Sequence, residues 1–432
     1  MGRILDLVRH ERVARAYFAV LAQSTLGTGA GYIALLVVAY DRFHSAWAIS
    51  LVLIADLVPA ALFGPILGAA ADRWSRRNCL IISDVVRGVA FLAIALVDDF
   101  AATVAFALLA GVGTGLFNPA SLAAIPSLVK PQRLPAATAL YGAITDFGFI
   151  VGPALAALFL LLSGPELILF ANAATFALSA VVLTRLSFGA APQVAEGPRP
   201  SLLREARDGL AAITHMAGVR AVVIASGAML LAAGLFNVAE LPFAKDELGA
   251  GNAGFGALSA IYGLGFVVGS LSGSRGGNPP ILKRRFLGGL ALVGGGFIAC
   301  GLAPVFAAAI PAFALAGLGN GLLLVYERLL IQTTVDDSLM ARVFGVRAGL
   351  SAWAFALAFL AGGGLTQAFG VRTVLVCAGL GGLAVWAFSR LALRNVWEAS
   401  TDATSQQAVS SSRLRSVRPE HRPAQHEPRR SP

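Results

Sequence analysis

Charged residues are scarce in this sequence. Asp, Glu, Lys and Arg make up 13% of its 432 residues, against roughly 25% in a typical soluble domain, and hydrophobic residues make up 57%. The mean hydropathy is +0.76. Glycine is abundant, at 48 residues, which suits close packing of helices in lipid. This composition excludes a soluble globular domain and indicates a polytopic membrane protein.

Cysteine and histidine are also rare, and no nucleotide-binding signature is present. The three cysteines, Cys79, Cys300 and Cys377, lie on separate predicted helices without metal-ligand spacing, and the five histidines form no metal pair. The sequence lacks the Gly-x-x-x-x-Gly-Lys-Ser/Thr loop that holds phosphates. We therefore expect no enzyme activity, no metal, no cofactor and no nucleic-acid partner.

Long apolar runs occupy most of the chain. A run of about 20 apolar residues is long enough to cross a bilayer as a helix. Twelve such spans are predicted: 17–40, 46–71, 78–97, 101–127, 138–163, 166–186, 219–243, 254–274, 286–304, 306–332, 342–367 and 371–393. The sequence therefore predicts an all-α membrane protein with twelve transmembrane helices.

The segments between the spans alternate in basic charge. Nineteen Lys and Arg residues lie on the side of the amino terminus, and three, Arg42, Lys245 and Arg372, lie on the other side. Basic residues are enriched in cytoplasmic loops. We therefore expect a multi-pass protein of the cytoplasmic (inner) membrane with both termini in the cytoplasm.

An internal repeat divides the chain. Residues 110–116 in the fourth span and 316–322 in the tenth share five of seven residues at a separation of 206. Both segments run in the same direction, which predicts two pseudo-symmetric six-helix bundles with a site between them. The expected units are an N-terminal bundle, 1–188, a cytoplasmic linker with an amphipathic helix, 189–218, a C-terminal bundle, 219–395, and a disordered cytoplasmic tail, 396–432.

The linker and the tail differ in apolar content. Leu202, Ala206, Leu210 and Ile213 recur at helical spacing in the linker and predict one apolar face of an interfacial helix. A plain linker with weak helicity is the alternative. The tail is rich in Ser, Arg and Pro, so it buries too little apolar surface to fold.

The most specific motif follows the second span. It consists of Gly64, Gly68, Asp72, Arg73, Arg76 and Arg77. Its charges must lie in water at a membrane face, because charges in hydrocarbon are costly. The glycines allow close approach of helices, and contacts of Asp72 that form in only one conformation would bias the access equilibrium. A role in topology alone is the alternative.

Two six-helix halves, a long central loop and this charged corner resemble the major facilitator superfamily over about residues 10–395. Residues 68–77 are similar to its motif Gly-x-x-x-Asp-Arg/Lys-x-Gly-Arg/Lys-Arg/Lys, with Ser75 where the family has Gly. The resemblance implies the major facilitator fold and a conformational latch at this corner. A turn that requires a positive φ would be strained at Ser75.

A second motif lies in the fifth span. Gly148, Gly152 and Pro153 resemble the Gly-x-x-x-Gly-Pro-x-x-Gly motif of the superfamily's antiporters, with Ala in the last small position. Residues 83–87 and 332–345 resemble the macrolide-efflux and siderophore-exporter branch. These resemblances imply antiport. The fourth span lacks the arginine of other drug–proton antiporters, so their proton pathway has no counterpart here.

Charged residues inside spans are costly and call for a function or a partner. Asp56 and Asp146 lie about 15 Å and about 12 Å into their predicted helices, at 1.5 Å per residue. They and Glu327 are candidate proton carriers, with a structural pair or a cavity-facing residue without a proton role as the alternative. Asp84 and Arg87, three residues apart on one helix, predict a structural ion pair.

Other polar residues in spans predict a cavity and its rim. We expect Glu240 at the outer rim, and Arg347 near Asp72 or Asp84. In the superfamily fold, helices one, four, seven and ten line the central cavity. The candidate lining residues on these helices are Gln23, Thr28, Asn118, Asn237 and Asn320. Hydrogen bonding to a neighbouring backbone carbonyl is the alternative for each of them.

These observations predict a secondary active transporter that works by alternating access. The preferred hypothesis is proton-coupled efflux of a small amphipathic compound, a drug or a siderophore. We expect a monomer whose partners are the small-molecule substrate, protons and the lipid bilayer. Two alternatives stay open: an importer of a nutrient or lysolipid, and a transport-inactive sensor or assembly protein on the same fold.

Overall fold

The computed structural model describes residues 6–7, 9–188 and 202–397, of which 61–73, 149–150, 202–203, 274, 337–338 and 341 are described by their backbone alone. These residues form thirteen α-helices of fourteen residues or more. They are α1 (Arg12–Phe43), α2 (Ala46–Arg73), α3 (Arg76–Leu96), α4 (Phe100–Leu128), α5 (Leu134–Leu162), α6 (Pro165–Arg185), α7 (Leu202–His215), α8 (Ala217–Pro242), α9 (Gly251–Leu271), α10 (Pro279–Leu302), α11 (Phe306–Thr334), α12 (Asp337–Phe369) and α13 (Val371–Ala392).

Side-chain caps fix where several helices begin. The Ser75 hydroxyl oxygen accepts a hydrogen bond from the Asn78 backbone N–H at 3.1 Å, and an Asp99 carboxylate oxygen accepts one from Ala102 at 2.7 Å. Such oxygens satisfy N–H groups that have no partner within the helix. Ser75 has a φ of −64°, so the turn between α2 and α3 needs no glycine and the expected strain is absent.

The helices other than α7 have the dimensions of membrane spans. Among the described residues, eleven helices are long and apolar enough to cross a bilayer, and α2 adds the apolar stretch Ala46–Ala60. The helices extend beyond the predicted spans by up to seven residues, as at Pro279. Their polar ends continue the helix past the apolar run, which is why hydropathy alone underestimates their length.

The twelve long helices form two bundles of six with the same internal arrangement. In the first bundle α1 packs on α5 and α6, α2 packs on α4, and α3 packs on α4 and α6. In the second, α8 packs on α12 and α13, α9 packs on α11, and α10 packs on α11 and α13. The bundles meet where α5 packs on α9 and where α2 packs on α12.

Close glycine contacts repeat at a constant separation. A Cβ atom at Gly111 in α4 would overlap the carbonyl oxygen of Asp56 in α2. A Cβ atom at Gly317 in α11 would overlap the carbonyl oxygen of Tyr262 in α9. Both members of the second contact lie 206 residues after those of the first, which is the separation of the sequence repeat. The two bundles are therefore equivalent in packing as well as in helix order.

Contacts between the bundles obey the same relation. Ala157 of α5 lies against Gly256 of α9, where a Cβ atom would be 2.6 Å from the Ala157 Cα. Gly363 of α12 lies against α2, where a Cβ atom would be 2.7 Å from the Ser50 hydroxyl oxygen. Adding 206 to the first-bundle residue of either contact gives the second-bundle residue of the other. The interface is therefore pseudo-two-fold, with each contact exchanged for its equivalent.

Helix α7 connects the bundles and lies against α12. The Asp208 carboxylate and the Arg342 guanidinium are 3.4 Å apart. Ala212 and Ile213 are buried in a cluster with residues of α8, α11 and α12. Leu210 is exposed, so the predicted apolar face is wrong at this position, because α7 turns its 209–213 side toward the bundle.

The predicted disordered segments lie largely outside the described residues. These segments are the first part of the linker, 189–201, and the tail from residue 398 onward. The chain continues past α13 as far as Trp397, whose ring lies against Gly218 at the start of α8. The predicted end of the second bundle at residue 395 is therefore followed by at least two residues in contact with it.

Candidate transport cavity

A cavity of about 510 Å³ lies between the two bundles. This volume is within the range of sites for drug-sized ligands. Five lining residues come from the first bundle and fifteen from the second, so the second bundle supplies most of the surface that a ligand would contact. The lining consists of Gly29, Tyr32, Ile33, Leu57, Pro153, Leu230, Ala233, Phe236, Asn237, Glu240, Ser259, Tyr262, Gly263, Phe266, Asn320, Leu324, Arg347, Ser351, Phe355 and Phe359.

Aromatic rings form a preorganised part of the wall. The ring of Phe236 stacks on that of Phe297 at a centroid distance of 4.3 Å and lies 6.0 Å from that of Tyr262. The rings of Phe355 and Phe359 stack at 5.5 Å. Stacking fixes the positions of these rings, so a ligand meets an apolar surface that does not need to be ordered on binding.

Glu240 is the acidic residue in the lining. It is 7% exposed, and no ion pair or hydrogen bond to its carboxylate occurs among the described residues. The titratable side chains that face it are Tyr32, Tyr262 and Cys300. The expected rim position is wrong, because the chain continues past α8 in the π-helical turn Phe243–Glu247, which leaves Glu240 one turn inside.

Arg347 lines the cavity with its charge already neutralised. Its Nε and Nη2 donate to the two carboxylate oxygens of Glu327 at 2.5 and 2.6 Å, and Glu327 is fully buried. Glu327 rather than Asp72 is thus its partner. The residues 206 positions earlier, Ser121 and Tyr141, join their hydroxyls at 2.8 Å. The position therefore links the fourth and fifth helices of both bundles, by an ion pair in one and by hydroxyls in the other.

The two aspartates proposed as proton carriers have different surroundings. Asp56 is half-buried beside the lining residue Leu57, and Arg87 is the charged group that acts on its carboxylate. Asp146 is exposed and lies seven residues before the lining residue Pro153, so both are on one face of α5. Neither aspartate forms an ion pair with a described residue, as a group that exchanges protons requires.

Asp84 and Arg87 form an ion pair in the interior of the first bundle. Asp84 is fully buried, and Arg87 is 4% exposed. The Arg87 guanidinium carbon lies 4.0 Å from the ring centre of Phe117 and 4.3 Å from that of Phe176, in cation–π geometry. Arg347 does not reach this pair, contrary to the second partner expected for it. The pair joins α3 to α4 and α6 and lies outside the cavity lining.

The five residues expected in the lining divide into two groups. Asn237 and Asn320 line the cavity, whereas Gln23, Thr28 and Asn118 do not. The Gln23 amide donates to a backbone carbonyl of α6 at 2.8 Å, and the Thr28 hydroxyl donates to one of α1 at 2.9 Å. Asn118 is exposed outside the lining. For the first two, bonding to a nearby carbonyl satisfies the polar group without a cavity.

The glycines of the fifth-span motif face α1. A Cβ atom at Gly148 would lie 2.6 Å from the Thr25 Cβ, and one at Gly152 would lie 2.6 Å from the Gly29 Cα. Pro153 points to the cavity. The motif therefore packs α5 closely on α1 and places its proline beside the ligand space.

The charged corner after α2 is described in part. The helix continues through four motif residues whose side chains lie outside the described part of the chain: Gly64, Gly68, Asp72 and Arg73. Arg77 donates to the backbone carbonyls of Leu183, at 2.9 Å, and Thr184, which end α6. A cation at a helix carboxyl terminus is favourable. Arg76 is half-buried. The latch role of this corner stays a prediction.

Polar contacts join the bundles at the end that carries the α1–α2 turn, here the α1–α2 end. The Lys245 ammonium pairs with the Asp41 carboxylate, which also accepts from the Asn252 amide at 2.7 Å. The Tyr40 hydroxyl bonds to the Asp246 carboxylate. These five residues form the inter-half bridge. Tyr40 and Asp41 lie 205 residues before Lys245 and Asp246, so their two contacts are related by the pseudo-two-fold arrangement.

The bundles are held together at one end. The inter-half bridge and the contacts Ala157–Gly256 and Gly363–Ser50 all lie toward the α1–α2 end. Among the described residues, no hydrogen bond or ion pair crosses between α1–α6 and α8–α13 at the opposite end, which carries the α2–α3 turn. The cavity is therefore closed at the α1–α2 end.

The sequence profile of the Major Facilitator Superfamily matches residues 16–347. The chain belongs to this superfamily. The family resemblance inferred from the charged corner is thus confirmed, as is the expectation of a transporter rather than an enzyme. The protein is a multi-pass membrane transporter of small molecules.

Two relatives cover most of the transporter's length. YfiS of Bacillus subtilis strain 168, an uncharacterized MFS-type transporter, is 25% identical over 380 residues, which are 86% of this chain and 91% of YfiS. The multidrug efflux pump Tap of Mycobacterium tuberculosis strain H37Rv is 26% identical over 392 residues, which are 84% of this chain and 90% of Tap.

Solved structures share the fold. The nucleoside transporter NupG superposes with a TM-score of 0.70 at 14% identity, over 88% of this transporter and 99% of NupG. A bacterial homologue of the lysosomal transporter Spinster, in an inward-facing and unoccupied conformation, superposes with a TM-score of 0.65 at 14% identity, over 89% and 96%. The predicted all-α fold of two six-helix bundles is confirmed.

Sequence reasoning missed the inter-half bridge. The available signal was the repeat itself, because extending its separation to the ends of the first and seventh spans aligns Tyr40 and Asp41 with Lys245 and Asp246. An acid in each bundle opposite a donor in the other is the pattern that a pseudo-two-fold polar contact requires.

Proposed function

We propose that this transporter exports a small amphipathic compound, a drug or a siderophore, by alternating access driven by proton entry. The observation that carries the proposal is the inter-half cavity, which combines rigid aromatic walls with a lone acid and is closed at the α1–α2 end. An apolar cavity with few polar groups suits an amphipathic ligand. The likeness to Tap and the glycine–proline motif of α5 support efflux over import.

The proposed orientation follows from the basic residues. Their excess on the α2–α3 side supports a cytoplasmic location for that side and for both termini, in the inner membrane. The cavity then opens to the cytoplasm, where an exporter collects its substrate. We propose that a single chain carries out transport, since the cavity is lined by the two bundles of one chain.

The proposed cycle exchanges one closed end for the other. Outward opening separates Asp41 from Lys245, and the corner around Asp72 then forms the contacts of the closed cytoplasmic end. Asp56 and Asp146 are the proposed proton carriers, because protonation removes the cost of a charge that must leave water. Glu327, the third predicted carrier, could exchange a proton only after its pair with Arg347 breaks.

Everted membrane vesicles test this proposal. With an acidic interior, vesicles containing the transporter should accumulate the amphipathic dyes ethidium or Nile red, and collapse of the pH gradient should abolish the accumulation. The variants Asp56→Asn and Asp146→Asn should lose most gradient-driven uptake. Asp98→Asn is the matched control, because Asp98 is a solvent-exposed acid that pairs with Arg42 outside the cavity.

Three outcomes would count against the proposal. Accumulation in intact cells rather than in everted vesicles would indicate import. Uptake that persists without a gradient, or that both aspartate variants retain, would remove proton coupling. Absence of uptake for every amphipathic dye in a folded, membrane-inserted protein would leave binding without transport.

A further inference from the structure

We propose that the cavity is an organic-cation site in which the Glu240 carboxylate pairs with the positive charge of the substrate. The inference rests on the proposed transport function and names its substrate class. An aromatic, positively charged amphipath would place its charge at Glu240 and its apolar groups against the rings around Phe236 and Tyr262.

The charge of Glu240 has no partner within the protein. The groups that face it from the packed elements are hydroxyls and a thiol: Tyr32 on α1, Tyr262 on α9 and Cys300 on α10. On its own segment, the nearest cation is Lys245, which is bound to Asp41 of the inter-half bridge. A carboxylate buried without a cation is unfavourable, so a bound cation or a proton must neutralise it.

The remaining charge in the lining does not compete for an anionic ligand. Arg347 lies ten residues into α12, about 15 Å from its start at the α2–α3 end, whereas Glu240 lies two residues before the end of α8 at the opposite end. Both oxygens of Glu327 already bind the Arg347 guanidinium. The deep part of the cavity therefore carries an uncompensated negative charge, and an anion there would be repelled.

A second unsatisfied group supports a polar ligand at this depth. Ser259 of α9 is 9% exposed, lines the same cavity, and its hydroxyl has no hydrogen-bond partner among the described residues. Buried hydroxyls in proteins nearly always have a partner. The rings beside it also attract cations, because the face of an aromatic ring is electronegative. Carboxylate, hydroxyl and rings together form the donor set of an organic-cation site.

Binding of two ions of nearly equal shape and opposite charge tests the inference. The probes are tetraphenylphosphonium, a cation, and tetraphenylborate, an anion, titrated against the full-length protein in detergent without any gradient. We expect tetraphenylphosphonium to bind more tightly than tetraphenylborate. Glu240→Gln should weaken its affinity at least about tenfold, which is about 1.4 kcal/mol. Glu247→Gln is the matched control, because Glu247 pairs with Arg372 outside the cavity.

A measurement on the unmodified protein covers the case in which Glu240→Gln does not fold. Dicyclohexylcarbodiimide reacts with carboxyl groups in apolar surroundings, and mass spectrometry locates the labelled residue. Tetraphenylphosphonium should slow labelling of Glu240 at least about tenfold at saturation and leave labelling of Glu247 unchanged, since occupancy of the site blocks the reagent.

The inference is overturned if the native protein does not bind tetraphenylphosphonium, or binds tetraphenylborate equally well. It is also overturned if Glu240→Gln binds the cation with native affinity or if the cation does not protect Glu240. These outcomes are separable from failure of the proposed function. Export without proton coupling would leave the cation site intact, and gradient-driven export without cation binding would remove the cation site alone.

Discussion

Removing the charge of Asp41 should shift the transporter toward the conformation that is open at the α1–α2 end. The substitution Asp41→Asn abolishes the ion pair with Lys245, whose side chain is 21% exposed, while that of Asp41 is 30% exposed. Exposed pairs contribute about 0–1 kcal/mol and buried pairs several times more, so about 1–2 kcal/mol is the expected loss. That loss changes the equilibrium between conformations by a factor of about 5–30.

Electron paramagnetic resonance distances measure this shift. Spin labels at His44→Cys in the first bundle and Val305→Cys in the second, both exposed at the α1–α2 end, report its opening in a background without other cysteines. The long-distance population should rise about 5–30-fold in Asp41→Asn. Asp98→Asn is the control, because it removes an acid that pairs within the first bundle. An unchanged distribution in Asp41→Asn, or an equal shift in the control, would refute the reasoning.

Two further predictions concern stability. Arg347→Leu should lower the free energy of unfolding by about 3–5 kcal/mol, because Glu327 stays buried without its partner, and the double variant with Glu327→Leu should recover most of the loss in a thermal melt; a double variant as unstable as the single one would argue against this. Gly317→Ala should cost about 1–3 kcal/mol, since the new methyl group meets the Tyr262 carbonyl. Gly295→Ala, where nothing lies within 4 Å, is the matched control, and equal melting temperatures would contradict the close contact.

The architecture was predictable because it is written in local patterns. Runs of apolar residues mark helices whether or not their neighbours are known, so the spans were found to within seven residues at ends such as Pro279. The separation of 206 was visible in the glycines around Gly111 and Gly317, and the structure extends it to helices without obvious similarity. Ser75 was judged strained by analogy to glycine, yet its hydroxyl caps α3, which a motif comparison does not consider.

The cavity was less predictable, because helices such as α8 and α11 are apolar around their whole circumference. Periodicity then does not tell which side faces the partner bundle, so Asn237 could not be distinguished from Thr28. Glu240 was placed at the rim because the π-helical extension of α8 is invisible in hydropathy. Glu327 and Arg347 were treated separately, since a pair twenty residues apart depends on the helix crossing and not on spacing.

The inter-half bridge makes closure of one end sensitive to dissolved salt. Mobile ions screen the attraction between Asp41 and Lys245, since the Debye length falls from about 10 Å at 0.1 M to about 3 Å at 1 M ionic strength. The contact between Ala157 and Gly256 is short-ranged and has no charge to screen. The medium facing the α1–α2 end therefore acts on the resting conformation without binding to the cavity, and a saline environment favours opening where a dilute one favours closure.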